Sequence, residues 1–470
     1  MPTRNLLPHH FAPLALLTLM GTGIATTALQ TTANPPIKPT PQEILQPGEI
    51  RPLPGKLDGM RLFNSNSPEW IKTSGILLST FPTQGKTTPA AHLNFPLTGE
   101  FNLFAHHFTH TPKDLRTLYI GILVHNPGKQ PVAIAIPAAA SYQLEEAPFK
   151  NHPMLLENPK GEIFSGPGIR AVDTVLRGQR QPIFPDRLVI PPGEYRMLLN
   201  HPIPTKGLAR PVNGRSTFMR LRSSGNVYLA SLALFAPLNP QGQERSPTLQ
   251  DWRSLLETGH FAGPRDKTPT PLEATSGPLI YSRVAGIQQG ANWVTPITDP
   301  GQRTLGLPAP GRSIAYPLST LHRGRLGTHQ SQAGKLLVRY GDTAYEAHGN
   351  YATYYDLTLP LQNRTPQPQT VTITLATPLK EENLSKGVLR FRQPSLDFPY
   401  FRGTVRLRYN NDLGKPLTRY LHLWHRTGQV VEPLVKLNLK PQEQRSVRLD
   451  FYYPPDATPP QALIVQTGDR

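Results

Sequence analysis

Two histidines in the first quarter of the chain have a spacing that could hold a metal ion. The run His106-His-Phe-Thr-His110 places His106 and His110 four residues apart, and on an α-helix this spacing would bring both imidazoles to one face. The surrounding residues, Phe101 to Thr109, favour a β-strand, in which positions four apart are separated by about 13 Å. We therefore expect half-buried histidines beside a sheet edge, and a metal site only if a third ligand comes from elsewhere in the fold.

A carboxylate and an imidazole lie close together near the middle of the chain, in the run Asp342-Thr-Ala-Tyr-Glu-Ala-His348. On a strand Glu346 and His348 would point the same way, and such a pair can act in acid–base chemistry. No nucleophile or opposing carboxylate is near them in the sequence, so an exposed strand end is the expected role. The sequence also has no nucleophile elbow, phosphate-binding glycine loop, zinc motif or calcium loop. We expect no cofactor, and a glycan-processing enzyme that uses Glu346 and His348 is the alternative.

The richest constellation is a predicted hairpin of basic and aromatic residues. Its strands run from Arg402 to Tyr409 and from Leu417 to His425, around a turn of Asn, Asp and Gly. If Tyr409 pairs with Leu417, the alternation of side chains sets a row of residues from the first strand opposite a row from the second strand, on the same face of the hairpin. The two rows are Arg402, Thr404 and Arg406, and Trp424, His422 and Tyr420, with Arg408 continuing the first.

This hairpin face predicts a binding surface for an acidic glycan. Arginine forks suit carboxylate and sulfate groups, and aromatic rings suit sugar faces or stacked arginines. The six expected ligand-binding residues are Arg402, Arg406, Arg408, Tyr420, His422 and Trp424. An ordinary solvated outer strand, whose charges discourage aggregation at the sheet edge, is the alternative interpretation.

The composition limits the class of partner. The chain has 470 residues, 49 Lys and Arg against 31 Asp and Glu, a net charge of +18 and no cysteine. The charge suits anionic partners, while the lack of cysteine excludes disulfides, thiolate metal sites and a cysteine nucleophile. The 54 prolines and 37 glycines punctuate short apolar runs, which is typical of folded, mainly β structure.

The N-terminus has the pattern of an export signal. Arg4 is the only charge before residue 38, an apolar stretch runs from Phe11 to Met20, and small residues suited to cleavage end at Ala28 and Ala33. Later segments lack the roughly 18 consecutive apolar residues of a membrane helix. We therefore expect an exported protein of the periplasm or cell surface, whose positive charge does not serve nucleic-acid binding.

The order of elements predicts two similar halves. In the first, a strand at 119–124 leads through Asn126 to a second strand at 132–136, which we expect to form a hairpin with it, and a Pro-Pro-Gly-Glu turn precedes a strand ending at 199. The second half repeats this order with a strand at 355–361, Asn363, a strand at 371–375 and a Pro-Gln-Glu turn before a strand ending at 449. Two Ig-like β-sandwich modules built on one plan would show such a repeat.

We expect the following organisation. Helix signals occur at 247–258, with Ser246 as cap and Gly259 ending the helix in left-handed conformation, and at 167–177 before Gly178. The fold class is mainly β, with two Ig-like sandwich modules flanking a β-rich middle segment and one short connecting helix. The boundaries are a signal peptide at 1–33, a proline-rich linker at 34–59, a β-sandwich-like domain at 60–245, the helix and linker at 246–271, the middle segment at 272–345 and a C-terminal β-sandwich at 346–470.

Five segments together resemble a known family. They are Phe63-Asn-Ser-Asn-Ser-Pro68, Gly75-Ile-Leu-Leu-Ser-Thr-Phe-Pro82, Phe104-Ala-His-His107, Val189-Ile-Pro-Pro-Gly-Glu194 and Tyr453-Pro-Pro-Asp-Ala-Thr-Pro-Pro460. The chain is similar over most of residues 45 to 465 to an uncharacterised family of exported cyanobacterial proteins defined by a domain of unknown function. This resemblance implies an envelope location and transfers no functional residues.

The sequence therefore favours an exported, non-enzymatic envelope protein that binds an anionic polysaccharide through basic β faces. A structural subunit of an envelope assembly, recruited through its sheet edges, is a further alternative.

Overall fold

The computed structural model describes residues 40–265, 267–274, 276–397 and 399–468, and this part of the chain is mainly β. The strands of its first half are β1 (Gln42–Gln46), β2 (Gly48–Ile50), β3 (Arg61–Ile71), β4 (Gly75–Ser79), β5 (Leu97–His110), β6 (Leu118–His125), β7 (Val132–Gln143), β8 (Leu155–Glu157), β9 (Arg187–Ile190), β10 (Tyr195–Ile203) and β11 (Val212–Phe235). Those of its second half are β12 (Val284–Gln289), β13 (Asn292–Pro296), β14 (Leu305–Gly306), β15 (Ser313–Leu318), β16 (Leu336–Arg339), β17 (Tyr354–Gln362), β18 (Gln369–Ala376), β19 (Leu389–Gln393), β20 (Pro399–Asn410), β21 (Pro416–Arg426), β22 (Val435–Leu439), β23 (Gln444–Tyr452) and β24 (Gln461–Thr467). Two α-helices, α1 (Pro167–Leu176) and α2 (Leu249–Thr258), and a short 3-10 helix (Pro89–Ala91) complete them.

The N-terminal lobe consists of two sheets that share the 24-residue strand β11. The first half of β11 lies between β5 and β7 in sheet 1, whose order is β9-β7-β11-β5-β3-β12-β16. The second half lies between β6 and β4 in sheet 2, whose order is β10-β6-β11-β4. The inner faces of both sheets meet in one hydrophobic core, to which sheet 1 gives Leu103, Met219 and Leu221 and sheet 2 gives Ile120, Ile122 and Leu229.

The C-terminal lobe also has two sheets across one core. Sheet 3 has the order β13-β17-β23-β20-β21-β8, with β14 pairing the end of β17, and sheet 4 has the order β2-β15-β24-β18-β22. Alternating apolar residues fill the space between them, including Leu357, Leu407 and Leu449 from sheet 3 and Ile373, Leu437 and Val465 from sheet 4. Period-2 alternation therefore sets the inner face of both sheets.

Helix α1 lies between the two lobes. Its apolar side, which includes Ala171, Val172 and Val175, packs into a cluster with Phe104 and Phe218 of sheet 1, and Tyr452 of sheet 3 belongs to the same cluster. The helix begins with Pro167, and Gly178 beyond its end has a φ of +70°, as the proline and glycine pattern predicted. The described chain therefore stacks as sheet 2, sheet 1, α1, sheet 3 and sheet 4.

Helix α2 is confirmed, but its expected cap and role are wrong. Thr248, not Ser246, caps it, because the Thr248 hydroxyl accepts from the Asp251 amide while the Asp251 carboxylate accepts from the Thr248 amide. Gly259 has an ordinary φ of −77°. The helix does not connect two domains but covers sheet 2 through Trp252 and Leu256. In the described part of the chain, neither α-helix has the length and apolar character needed to cross a membrane.

The middle segment, predicted at residues 272–345, does not form a unit of its own. Its strands β12 and β16 extend sheet 1, β13 and β14 join sheet 3, and β15 joins sheet 4. The expected linker is wrong for residues 42–50, because β1 pairs with β19 and β2 with β15. The remaining linker residues before 40, and the predicted signal peptide, lie outside the described residues.

The predicted repeat is confirmed in the way strands pair, although the hairpin within it is wrong. Strands β6 and β7 lie in different sheets, where β6 pairs with β10 and β7 with β9. In the second half β17 pairs with β23 and β18 with β22 in the same manner. Strands β6 and β7, like β17 and β18, are therefore joined by an arch that crosses from one sheet to the other. Local sequence alone does not distinguish such an arch from a hairpin.

One buried asparagine fixes each arch. The side-chain amide of Asn126 donates to the main-chain carbonyls of Gln130, Ile190 and Pro191 at 2.7 to 3.2 Å. That of Asn363 donates to the carbonyls of Gln367, Leu439 and Lys440 at 2.7 to 3.1 Å. Both asparagines are fully buried, so each satisfies carbonyls of a neighbouring turn that water cannot reach.

Replacing either asparagine with alanine should destabilise the protein. The substitutions Asn126→Ala and Asn363→Ala leave buried carbonyls without donors, so we expect each to lower the free energy of unfolding by about 3 kcal/mol. Chemical denaturation measures this. Asn239→Ala is the matched control, because the Asn239 side chain accepts two amide hydrogen bonds in an exposed loop, where the loss should stay below about 1 kcal/mol. Equal effects at buried and exposed sites would contradict this account.

Candidate functional site

The predicted basic and aromatic hairpin has the register expected from its sequence. Strands β20 and β21 pair antiparallel with Tyr409 opposite Leu417, and the pairing sets Arg402, Thr404 and Arg406 opposite Trp424, His422 and Tyr420. Alternation along two strands joined by a short turn was sufficient to predict these pairs.

The expectation that this face is exposed is wrong. His422 is fully buried and Trp424 is 7% exposed. Segment 149–165 covers this end of the face: Phe149 stacks under the Arg402 guanidinium at 4.8 Å, and the ring of His152 lies 5.4 Å from that of His422. Strand β8, within that segment, pairs with β21. These contacts join residues more than 200 positions apart, which the hairpin sequence alone cannot reveal.

The arginines nearer the hairpin turn already have anionic partners. Asp450, fully buried on the neighbouring strand β23, accepts from Arg406 at 2.7 Å and from Arg408 at 2.6 Å. Tyr420 carries the guanidinium of Arg177 over its ring at 4.0 Å. Ligand binding by the six residues stays a prediction, and the geometry gives them a second, structural role.

The two spaced histidines have different neighbours. Both lie on β5, as expected for a strand. The Nδ1 atom of His106 lies 2.6 Å from the Ser216 hydroxyl and its Nε2 atom 3.5 Å from Asp456, while His110 packs edge-on against Trp70. Ser216 is fully buried, so this Ser-His-Asp chain lacks the accessible nucleophile that acyl transfer requires. In the described residues, no group of three His, Asp or Glu side chains is placed to hold a metal ion.

Glu346 and His348 border a small cavity. His348 contacts the main-chain carbonyl of Ser282 at 2.8 Å and stacks on Tyr281, and burial raises the pKa of Glu346. Glu346 forms an isolated bridge with Lys335 rather than part of the regular strand that we expected. The cavity has a volume of about 30 Å³, which accommodates about one water molecule rather than a sugar ring.

The outer face of sheet 1 carries a larger opening, which the sequence analysis missed. We name it the basic groove; its volume is about 420 Å³, within the range of small-molecule sites. Its lining residues come from β5, β7, β11, the residue before β3 and the segment before β9: Met60, Glu100, Asn102, Ala135, Ile136, Pro137, Arg180, Asp186, Arg220, Leu221 and Arg222.

Strand register places the arginines of the basic groove. Arg220 and Arg222 are exposed on one face of β11, whereas Leu221 between them faces the core. Arg222 lies opposite Ala135 of β7, and Ala135 lies opposite Arg187 of β9, so Arg187 flanks the groove on the same face. The alternation of Arg220, Leu221 and Arg222 was the available sequence signal for this wall.

The groove has a floor of small side chains, and Glu100 of β5 lies opposite Arg222 of β11 on its wall. In the described part of the chain, no carboxylate lies within 4.0 Å of the Arg180, Arg220 or Arg222 guanidinium groups. Arg180 is held by the Ile136 carbonyl at 3.2 Å. The exposed residues Ala135 and Pro137 form part of the floor. Such a surface leaves the arginine forks free for carboxylate, sulfate or phosphate oxygens.

Comparison with protein families identifies the family to which the chain belongs. The family described as "Protein of unknown function (DUF3370)" matches residues 48–467. The chain belongs to this family. The match covers both lobes and every residue of the basic groove, and it confirms the resemblance to a family defined by a domain of unknown function.

Other comparisons add no functional relative. No curated protein matches the chain. The structure of the Macrobrachium rosenbergii nodavirus aligns over 96% of each chain with 8% identity and a TM-score of 0.12. The crystal structure of the coconut allergen cocosin aligns over 87% of this chain and 85% of that chain, with 10% identity and a TM-score of 0.11. Scores this low carry no argument about fold or function.

The buried histidines predict that acid destabilises the protein. Burial lowers the pKa of His107 and His422 to about 3 and that of His425 to about 4, from an ordinary value of 6.5. The unfolded chain therefore binds more protons, and stability present above pH 6.5 is lost as the pH falls from there toward 4. At pH 5 each histidine costs about 2 kcal/mol, or about 6 kcal/mol for the three.

Chemical denaturation at pH 7.5 and pH 5 tests this expectation. The variant His425→Gln should reduce the pH-dependent loss by about 2 kcal/mol, because glutamine does not titrate. His260→Gln, at an exposed position, is the control and should leave the pH dependence unchanged. A free energy of unfolding that is constant between the two pH values would contradict the prediction.

Proposed function

We propose that this protein is an exported, non-enzymatic protein of the cell envelope and that it binds an acidic polysaccharide in the basic groove. The observation that carries the proposal is that Arg180, Arg220 and Arg222 line one open groove without forming an ion pair with Glu100 or Asp186, which also line it, whereas Arg406 and Arg408 of the hairpin share Asp450.

The chemistry of the groove suits a polyanion. A planar guanidinium binds carboxylate or sulfate through two parallel hydrogen bonds, and two exposed arginines two residues apart on β11 are separated by about 7 Å. Successive charged groups of a polymer can therefore contact successive arginines. The small side chains of Ala135 and Pro137 leave room above the sheet for a sugar ring. The net charge of +18 raises the local concentration of a polyanion before it docks.

The proposed location is supported by the N-terminal sequence. The apolar run from Phe11 to Met20 and the small residues up to Ala33 have the order of a cleavable signal. The resemblance to exported cyanobacterial proteins implies the same location, the periplasm or cell surface, and a cyanobacterial origin. Acidic wall polymers would be the polyanions available in that compartment.

The proposal includes an Ig-like plan for each lobe. Two sheets facing one core, strand arches that cross between them and the repeated asparagine support this plan. In both lobes this Ig-like plan leaves an outer sheet face available for surface contacts.

Removing two groove charges should weaken binding to acidic polysaccharide. We expect the double variant Arg220→Gln/Arg222→Gln to elute from immobilised alginate at much lower salt and to lose at least tenfold in affinity. Two contacts between guanidinium groups and alginate carboxylates disappear, and the salt dependence of binding becomes less steep. Arg303→Gln/Lys436→Gln removes the same charge from exposed positions outside the groove and should change retention little. Equal effects of both double variants would contradict a specific groove.

The export proposal predicts a processed N-terminus. Protein recovered from the producing cell should begin after Ala28 or Ala33 and fractionate with the envelope or periplasm. Mass spectrometry of the purified N-terminal peptide measures the cut directly. Recovery of chains that begin at Met1 or Pro2 from the cytosol would contradict export while leaving the groove experiment unaffected.

A further inference from the structure

The C-terminal lobe contacts sheet 1 next to the basic groove. At one end of sheet 1, His106, which is bonded to Ser216 of β11, reaches Asp456 just beyond β23. Two residues after Ser216, on the same face of β11, the ring of Phe218 contacts that of Tyr452 of β23 edge-on, with ring centroids 4.8 Å apart. Strands β11 and β23 therefore meet at this contact through the outer faces of their own sheets.

Beyond this contact the two outer faces continue with charged residues. The next residues on the shared face of β11 are Arg220 and Arg222, and the next on β23 are Asp450 and Arg448, since strand side chains alternate. Burial raises the pKa of the Tyr452 phenol to about 12, and Arg220 from sheet 1 and Arg406 from sheet 3 are both close enough to act on it. Tyr452 thus lies where the two outer faces meet, and we name the space between these faces beyond the contact the cleft.

The second wall exposes cations and buries its acids. Arg448 is paired with Asp356, yet 44% of its side chain is exposed against 6% for Asp356. Arg408 is 32% exposed while its partner Asp450 is fully buried. A ligand in the cleft would therefore meet guanidinium groups held in place by carboxylates behind them, which limits the loss of side-chain entropy on binding.

The charges of the two walls add. On sheet 1, Arg180, Arg220 and Arg222 against Glu100 and Asp186 give 3 minus 2, or +1. On sheet 3, Arg406, Arg408 and Arg448 against Asp356 and Asp450 give 3 minus 2, or +1. The cleft as a whole carries +2, with a cationic wall on either side.

We propose that the acidic polysaccharide is held between the two lobes, with Arg448 and Arg408 contacting it from the side opposite Arg220 and Arg222. This inference rests on the proposed function of the basic groove. It specifies the substrate class further: an extended polymer whose anionic groups project from both edges of the chain, so that one edge meets each wall. A polymer charged along one edge alone would use the sheet 1 wall only.

A charge-neutral variant tests the second wall. Arg448→Gln/Asp356→Asn removes one cation and one anion, so the net charge stays the same while the exposed guanidinium is lost. We expect at least a fivefold loss of affinity for alginate, measured by calorimetry at two salt concentrations. The matched control is Arg116→Gln/Asp114→Asn, which removes an ion pair with an equally exposed arginine (44%) from the N-terminal lobe and should leave affinity unchanged.

The outcomes separate this inference from the proposed function. A loss in both the Arg220→Gln/Arg222→Gln and the Arg448→Gln/Asp356→Asn variants, with none in the control, supports a two-walled cleft. A loss in the first alone overturns the second wall and leaves the groove. No loss in either overturns both. If the Arg448→Gln/Asp356→Asn protein unfolds at a lower temperature, Arg448→Lys decides, because it keeps the charge and loses the fork: reduced affinity supports the contact, and unchanged affinity overturns it.

Discussion

The alternation of side chains along β11 is the constraint on which the molecule depends. One face of this strand supplies Met219 and Leu221 to the core of the N-terminal lobe, and its later half supplies the second sheet of that lobe. The other face passes from Ser216 through Phe218 to Arg220 and Arg222. The covered end therefore attaches the C-terminal lobe, and the open end forms the groove. A shift of one residue would exchange core and surface along the whole strand.

Arginines in the described part of the chain differ in whether a carboxylate lies within ion-pair distance of them. On sheet 3, Arg406 and Arg408 lie against the buried Asp450, whose charge would be costly without a partner. On the open face of sheet 1, Arg220 and Arg222 are exposed, so water solvates their guanidinium groups.

The sequence predicted what depends on neighbours along the chain. It predicted the mainly β class, both helices, the register of β20 with β21 and the repeated order of strands around Asn126 and Asn363. It did not predict which faces are covered, because His422 is buried by residues more than 250 positions earlier in the chain, including His152. For the same reason the arch of β6 and β7 was mistaken for a hairpin, and residues 272–345 for a separate unit. The groove arginines come from two segments 40 residues apart, so no local motif marks them.

Two strands near the ends of the described fold lie in the same sheet. Gly48 of β2 and Gln466 of β24 both pair with Ser313 of β15, so these two residues lie two strand spacings apart, about 10 Å. A linkage to a resin or a lipid next to either residue would therefore fasten the molecule by sheet 4. Sheet 3 and α1 separate sheet 4 from sheet 1, so such a linkage would hold the basic groove of the N-terminal lobe away from the attachment point.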